Sequence, residues 1–233
     1  MPSDQTTSMS EEVGEKLHDL AAEVKPRLRG WLHAAVMPLA VAGGVVLVAL
    51  SPTTGTRLAA AVFMLTAMLL FGVSAIYHTG SWTPQTKERL KRFDHANIFL
   101  LIAGSYTPFA LLLLEPRDAA VLLILVWSGA VLGVAFRVFW LGAPRWLYVP
   151  VYIALGWAAV FWMPAFADNA SAAVLTLLIV GGGLYSVGAV VYGFKRPNPA
   201  PNWFGFHEIF HSFTIAAFTA HYVGISLAAY SQM

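Results

Sequence analysis

The sequence contains no cysteine, which removes disulfides, thiolate metal ligands and thiol nucleophiles at once. Charge is nearly as scarce. Asp, Glu, Lys and Arg supply 11% of the 233 residues, less than half the share of an average soluble domain. A net charge of +2 marks no nucleic-acid surface, and no such partner is expected. In place of charge, 58% of the chain is hydrophobic and the mean hydropathy is +0.67. These are the properties of a membrane protein, whose lipid surroundings are its first partner.

A hydrocarbon core about 30 Å thick takes roughly 20 apolar residues as helix. Seven such runs are present, at 31–50, 58–77, 95–114, 119–136, 145–163, 172–192 and 206–226. They take up nearly everything after residue 30. The prediction is an all-α, integral membrane seven-transmembrane helix bundle over 31–233, preceded by an N-terminal segment over 1–30. The first run has no small-residue cleavage site after it and is read as a retained span. In the preceding segment, Val13, Leu17, Leu20 and Val24 share one face, with acidic residues around the rest. That fits an amphipathic helix on the membrane surface, or a solvated tail ending at Pro26.

Basic residues separate the two sides. Lys16, Lys25, Arg27, Arg29, Lys87, Arg89, Lys91, Arg92, Arg137, Arg145, Lys195 and Arg196 fall at one end of the spans, and only Arg57 and Arg117 at the other. The positive-inside rule then places the N-terminus in the cytoplasm and the C-terminus outside.

Ionisable groups in spans are expensive and mark function by default. The orientation gives each a depth. Ser74 and His78 close span 2, Asp94 and His95 open span 3, and His207 and His211 open span 7, all near the inner leaflet. Residues four apart on a helix lie about 40° apart in direction, so Ser74 with His78, and His207 with His211, each face one neighbour. Seven histidines in the chain make about 0.2 HxxxH pairs expected by chance, so that pair alone is weak. The convergence of three segments carries more. Three neutral imidazoles with an open position are an established catalytic zinc arrangement, so Zn2+ is expected on His78, His207 and His211. Asp94 then stands as proton acceptor or water-binding group, and Ser74 as its helper or a donor to a carbonyl. A plain helix cap is the bland alternative for Asp94, and a backbone-bonded serine for Ser74.

Other polar residues are read as structural. His95 points about 100° away from Asp94 and is taken as interfacial. His33 and His221 are placed away from the cluster, in packing roles. Tyr77, Tyr106, Tyr185 and the tryptophans are read as belt and packing residues, and Gly181, Gly182 and Gly183 as sites of close helix contact.

SxxxH at Ser74 and His78, Asp94 ahead of "GSYTPF", and HxxxH at His207 and His211 followed by "FTAHYVGI" together resemble the hemolysin III family. That family sits with the progestin and adipoQ receptors and the alkaline ceramidases in a superfamily of seven-helix proteins. The resemblance implies zinc on His78, His207 and His211, with Asp94 near the metal's water and Ser74 beside it. It also implies hydrolysis of ceramide-like amides in characterised relatives, and haemolysis or membrane lipid homeostasis in the bacterial branch.

Three functions follow for comparison. The first is a zinc-dependent hydrolase of a lipid amide or ester. The second is a non-enzymatic receptor, sensor or haemolysin whose zinc is structural, closed by Asp94 as a fourth ligand. The third is an intramembrane metalloprotease, because "HEIFH" also fits HExxH with Glu208 as base. His78 already supplies a third ligand, so the third function ranks last. Glu208 is read as incidental to ligation or as a supporting group near the ligands.

Overall fold

The computed structural model describes residues 26–232; the proposed amphipathic face at Val13 to Val24 lies outside the described residues. Eight α-helices follow in order: α1 Trp31–Leu50, α2 Thr54–Thr79, α3 Pro84–Leu113, α4 Pro116–Phe139, α5 Arg145–Gly156, α6 Met163–Asn169, α7 Ala172–Phe194 and α8 Phe206–Tyr230. A 3-10 turn over Ala158–Trp162 joins α5 to α6, so these two helices form one span, Arg145–Asn169, and seven helical segments are long and apolar enough to cross a membrane. This is the expected all-α bundle. Among the described residues the only extended pairing is an isolated bridge between Ala200 and Phe204.

Local chemistry sets the helix starts. Thr53 and Thr56 cap each other's backbone N–H groups at the start of α2, Thr83 accepts from the Thr86 N–H at the start of α3, and Ser171 accepts from the Val174 N–H at the start of α7. Each cap satisfies a donor that the first helical turn leaves open. Pro84 and Pro116 stand at first helical positions, where a missing N–H loses nothing. The Thr83 cap starts α3 eleven residues earlier than the apolar run at 95 suggests. Lys87, Arg89, Lys91 and Arg92, expected in a loop, therefore ride on a helical extension beyond the apolar stretch.

Helix α3 is the centre of the bundle: 72% of its most apolar stretch is buried, against 22–28% for α1, α4 and α7. It packs on α2 and α4, while α8 packs on α7 and also reaches α1, α2 and α3. Large apolar residues such as Leu39, Ile124, Leu132 and Phe139 are exposed on the outer helices. Such a surface suits lipid contact. Close approach inside the bundle depends on small residues. A Cβ on Gly104 would lie 2.0 Å from Thr66 Oγ1, one on Gly133 would lie 2.4 Å from the Phe99 ring, and one on Gly181 would lie 2.2 Å from the His221 ring. A Cβ added at Gly182 or Gly183 would meet nothing within 4 Å among the described residues, so of the three consecutive glycines only Gly181 serves the close contact expected of all three.

The break in the fifth span exposes backbone groups at membrane depth, where an unpaired polar group costs several kcal/mol. Tyr106 resolves this. Its hydroxyl donates to the Gly156 carbonyl at 2.6 Å and accepts from the Ala159 N–H at 2.9 Å. Tyr106 therefore does more than the packing expected of it. Arg137, counted among the basic residues between the fourth and fifth spans, stands in the last turn of α4 and is only 1% exposed.

Substituting Gly104→Ala is expected to push α2 from α3 and destabilise the bundle by about 1–3 kcal/mol, less the roughly 1 kcal/mol that alanine recovers in a helix interior. Gly182→Ala should leave stability unchanged or slightly raised. Thermal unfolding of the two purified variants, side by side in one detergent, measures the difference.

Candidate metal centre

His78 stands in the last turn of α2, His207 and His211 in the first two turns of α8, and Asp94 about three turns into α3. The bundle brings the three histidines together. One nitrogen from each lies within 4.8 Å of the other two. The ring centroids of His78 and His207 are 4.9 Å apart, those of His78 and His211 5.4 Å, and those of His207 and His211 4.6 Å. His78 Nε2 is 3.7 Å from Asp94 Oδ2. The Ser74 hydroxyl approaches the Asp94 carboxyl without the geometry of a full hydrogen bond. All five predicted residues therefore meet.

His207 Nε2 and His211 Nδ1 are buried and have no hydrogen-bond partner among the described residues. A neutral imidazole nitrogen left without a donor or a proton at such depth calls for a Lewis acid or a donor in the space before it. Three imidazoles with an adjacent carboxylate fit a metal ion of zinc type, and equally match other imidazole-preferring divalent metals. The site opens on a cavity of about 130 Å³ lined by Ser74, Asp94, His207 and His211 among mostly apolar residues of α3, α5, α7 and α8.

Several neighbours differ from the sequence reading. His33, placed there away from the cluster, stacks on His211 with centroids 3.8 Å apart and planes 13° apart, is 2% exposed and lines the same cavity. The signal was available, because His33 lies in the first turn of the first span, at the depth already assigned to the other histidines. His95 is buried and not interfacial: its Nδ1 meets Arg137 Nη2, and its carbonyl accepts from the Tyr152 hydroxyl at 3.1 Å. Arg137 also lies 4.2 Å over the Tyr148 ring. His221 stands away from the triad as expected, yet lines the cavity.

Glu208 has a definite role. Its side chain is fully buried; one carboxylate oxygen accepts from Arg29 Nε at 2.9 Å and the other from the Gly205 N–H at 2.8 Å. Arg29 belongs to a strap at 26–30 that lies along the loop before α8. There the Arg27 N–H donates to the Asn202 carbonyl at 3.0 Å, and the Arg27 guanidinium sits 4.5 Å over the Trp203 ring. The strap ends at Gly30, with φ +87°, where a Cβ would come within 2.6 Å of the His78 Cβ. Only glycine adopts that conformation without strain and leaves room for His78. Neither Arg29 nor Gly30 was singled out from the sequence, since a cation and a glycine before a span carry no motif.

The fold and the site together define a multi-pass helical membrane protein with a buried three-histidine centre at one end of an apolar cavity. The family model described as Haemolysin-III related matches residues 22–222, and the chain belongs to that family. It is 34% identical over 159 residues to the "Hemolysin-3 homolog" of Bacillus subtilis (strain 168), covering 68% of this chain and 71% of the relative. Against "Hemolysin-3" of Bacillus cereus the identity is 31% over 144 residues, 62% of this chain and 65% of that protein. The "Adiponectin receptor protein" of Drosophila melanogaster is 30% identical over 189 residues, which span 73% of this chain but 43% of the receptor.

Arg29→Ala leaves the Glu208 carboxylate buried with one partner removed, and is expected to cost about 3–5 kcal/mol. The double variant Arg29→Ala, Glu208→Gln should recover most of that loss, because no uncompensated charge remains. Denaturation midpoints of the three proteins test this.

Proposed function

We propose that this chain is a zinc-dependent hydrolase of a lipid amide or ester in a bacterial plasma membrane, with its metal centre toward the cytoplasmic leaflet. The observation that carries it is the convergence of His78, His207 and His211 beside Asp94 at the polar end of an apolar cavity. The asymmetry of basic residues supports a cytoplasmic N-terminus and that depth for the centre. The cavity suits a hydrocarbon chain, and the polar end suits a carbonyl.

His78, His207 and His211 would hold the ion. Zinc bound by three neutral imidazoles polarises a carbonyl and makes water more acidic. The chain's own residues do the rest. Asp94 accepts a proton from the water whose oxygen joins the acyl carbon, then returns it to the departing nitrogen or oxygen as the acyl bond breaks. Ser74, beside Asp94, orients that carboxyl toward the water. The products are a fatty acid and an amine or alcohol.

A second reading is a receptor, sensor or haemolysin with a structural metal. It is favoured by the 3.7 Å between His78 Nε2 and Asp94 Oδ2, a separation from which Asp94 can close the coordination shell as fourth ligand. The relatives' names, hemolysin and receptor, accord with it. A metalloprotease ranks below both, because the Glu208 carboxylate is taken up by Arg29 and the Gly205 N–H.

Purified full-length protein, assayed for bound zinc and for fatty acid release from ceramide-type and phospholipid substrates, tests the proposal. Wild type should release fatty acid; Asp94→Asn should slow turnover by about 10²–10⁴-fold and keep its zinc, and His207→Ala should lose both. Zinc binding without release, and loss of zinc in Asp94→Asn, would favour the structural metal. Loss of turnover confined to Glu208→Gln would favour the protease.

A further inference from the structure

The cavity continues past the triad to a second polar position that the chemistry above does not use. His221 lies ten residues beyond His211 on α8, about 15 Å further along the helix axis, and its ring also lines the cavity. It is 7% exposed. Its Nε2 lies 3.2 Å from the Leu178 carbonyl. A carbonyl only accepts, so Nε2 carries the proton and Nδ1 of the neutral ring is left as an acceptor. That Nδ1 is buried and has no partner among the described residues.

Tyr185 stands opposite on α7, also lining the cavity, with its ring centroid 5.6 Å from that of His221. Its hydroxyl is buried and has no partner either. The pair is held in place by packing. Gly181 leaves room for the His221 ring, since a Cβ there would lie 2.2 Å from it, and Phe109 meets the same ring edge-on at 5.4 Å. Two unpaired polar atoms among apolar walls at membrane depth are costly unless something in the cavity satisfies them.

One chemical group matches both. A hydroxyl donates to His221 Nδ1 and accepts from the Tyr185 O–H at the same time; a methylene does neither. We propose that Tyr185 and His221 form a hydroxyl subsite that selects hydrocarbon chains carrying a hydroxyl about 15 Å from the group presented to the histidine triad. The proposal rests on the reading of the cavity as a lipid site. It adds the class of lipid: a mid-chain hydroxylated acyl group. The subsite lies too far from His211 to take part in acyl transfer, so it acts on binding and not on the bond that breaks.

Binding of octadecanoate, 2-hydroxyoctadecanoate and 12-hydroxyoctadecanoate to the purified full-length protein, by displacement of a fluorescent fatty acid, is the test. Two added hydrogen bonds should favour the 12-hydroxy acid over octadecanoate by about tenfold, and the 2-hydroxy acid should gain nothing. Tyr185→Phe removes one oxygen and no packing volume. It should cut the preference for the 12-hydroxy acid over octadecanoate to about threefold. Equal binding of all three acids with a silent Tyr185→Phe would overturn the subsite, assign the polar pair to water and leave the lipid cavity standing. Failure of every acid to bind would overturn the cavity reading and the subsite with it.

Discussion

A polar atom buried in a membrane bundle has no water to fall back on, and that constraint organises this protein. Where the backbone breaks in the fifth span, the Tyr106 hydroxyl takes up both the freed carbonyl and the freed N–H. Glu208 is buried completely and meets Arg29 and a backbone amide; Arg137 is buried against His95 and Tyr148. Among the described residues His207 Nε2 and His211 Nδ1 have no hydrogen-bond partner, and what sets these two histidines apart from other open polar groups is that one nitrogen of each converges with one of His78 to within 4.8 Å. The natural complement of converging imidazole lone pairs is a cation.

The way the triad is held explains the cost spent around it. Its histidines come from the end of α2 and the start of α8, elements separated by more than a hundred residues. Their alignment depends on the strap before α1, which touches both: Gly30 lies against His78 and Arg29 grips Glu208, one residue from His207. His33, at the other end of the same helical turn, stacks on His211. The first helix thus acts as a brace for the centre although it supplies none of the three histidines. Bracing of this kind fixes ring orientation, on which both metal affinity and reactivity depend.

Much of this was legible in the sequence, and the reasons for the rest are physical. Span number, helical class and the five residues Ser74, His78, Asp94, His207 and His211 follow from hydropathy and from the depth that orientation assigns to each polar group. The same depth argument extends to His33 in the first turn of the first span; reading it as packing ignored a level already established. His95 and Arg137 were beyond reach, because burial of an arginine at a helix end depends on which aromatic faces it, and no periodicity encodes Tyr148. Helix α3 starts early because a threonine cap and a proline outweigh the lack of apolar residues, so hydropathy alone marks the membrane stretch and not the helix.

The string HEIFH shows how context changes the meaning of a motif. In a helix whose start is exposed, a glutamate between two histidines is free to reach a water, and the three residues act as one device. Here the glutamate occupies the third position after Gly205, where its carboxylate turns back to the first open N–H of α8. Arg29 takes the other oxygen, so each carboxylate oxygen is already engaged by a structural donor. The nearby histidines His207 and His211 meet His78 on α2 instead, and His78 in turn stands 3.7 Å from Asp94 on α3. A carboxylate still stands beside the imidazoles, but it comes from another helix, from a residue 114 positions away from Glu208 in the chain.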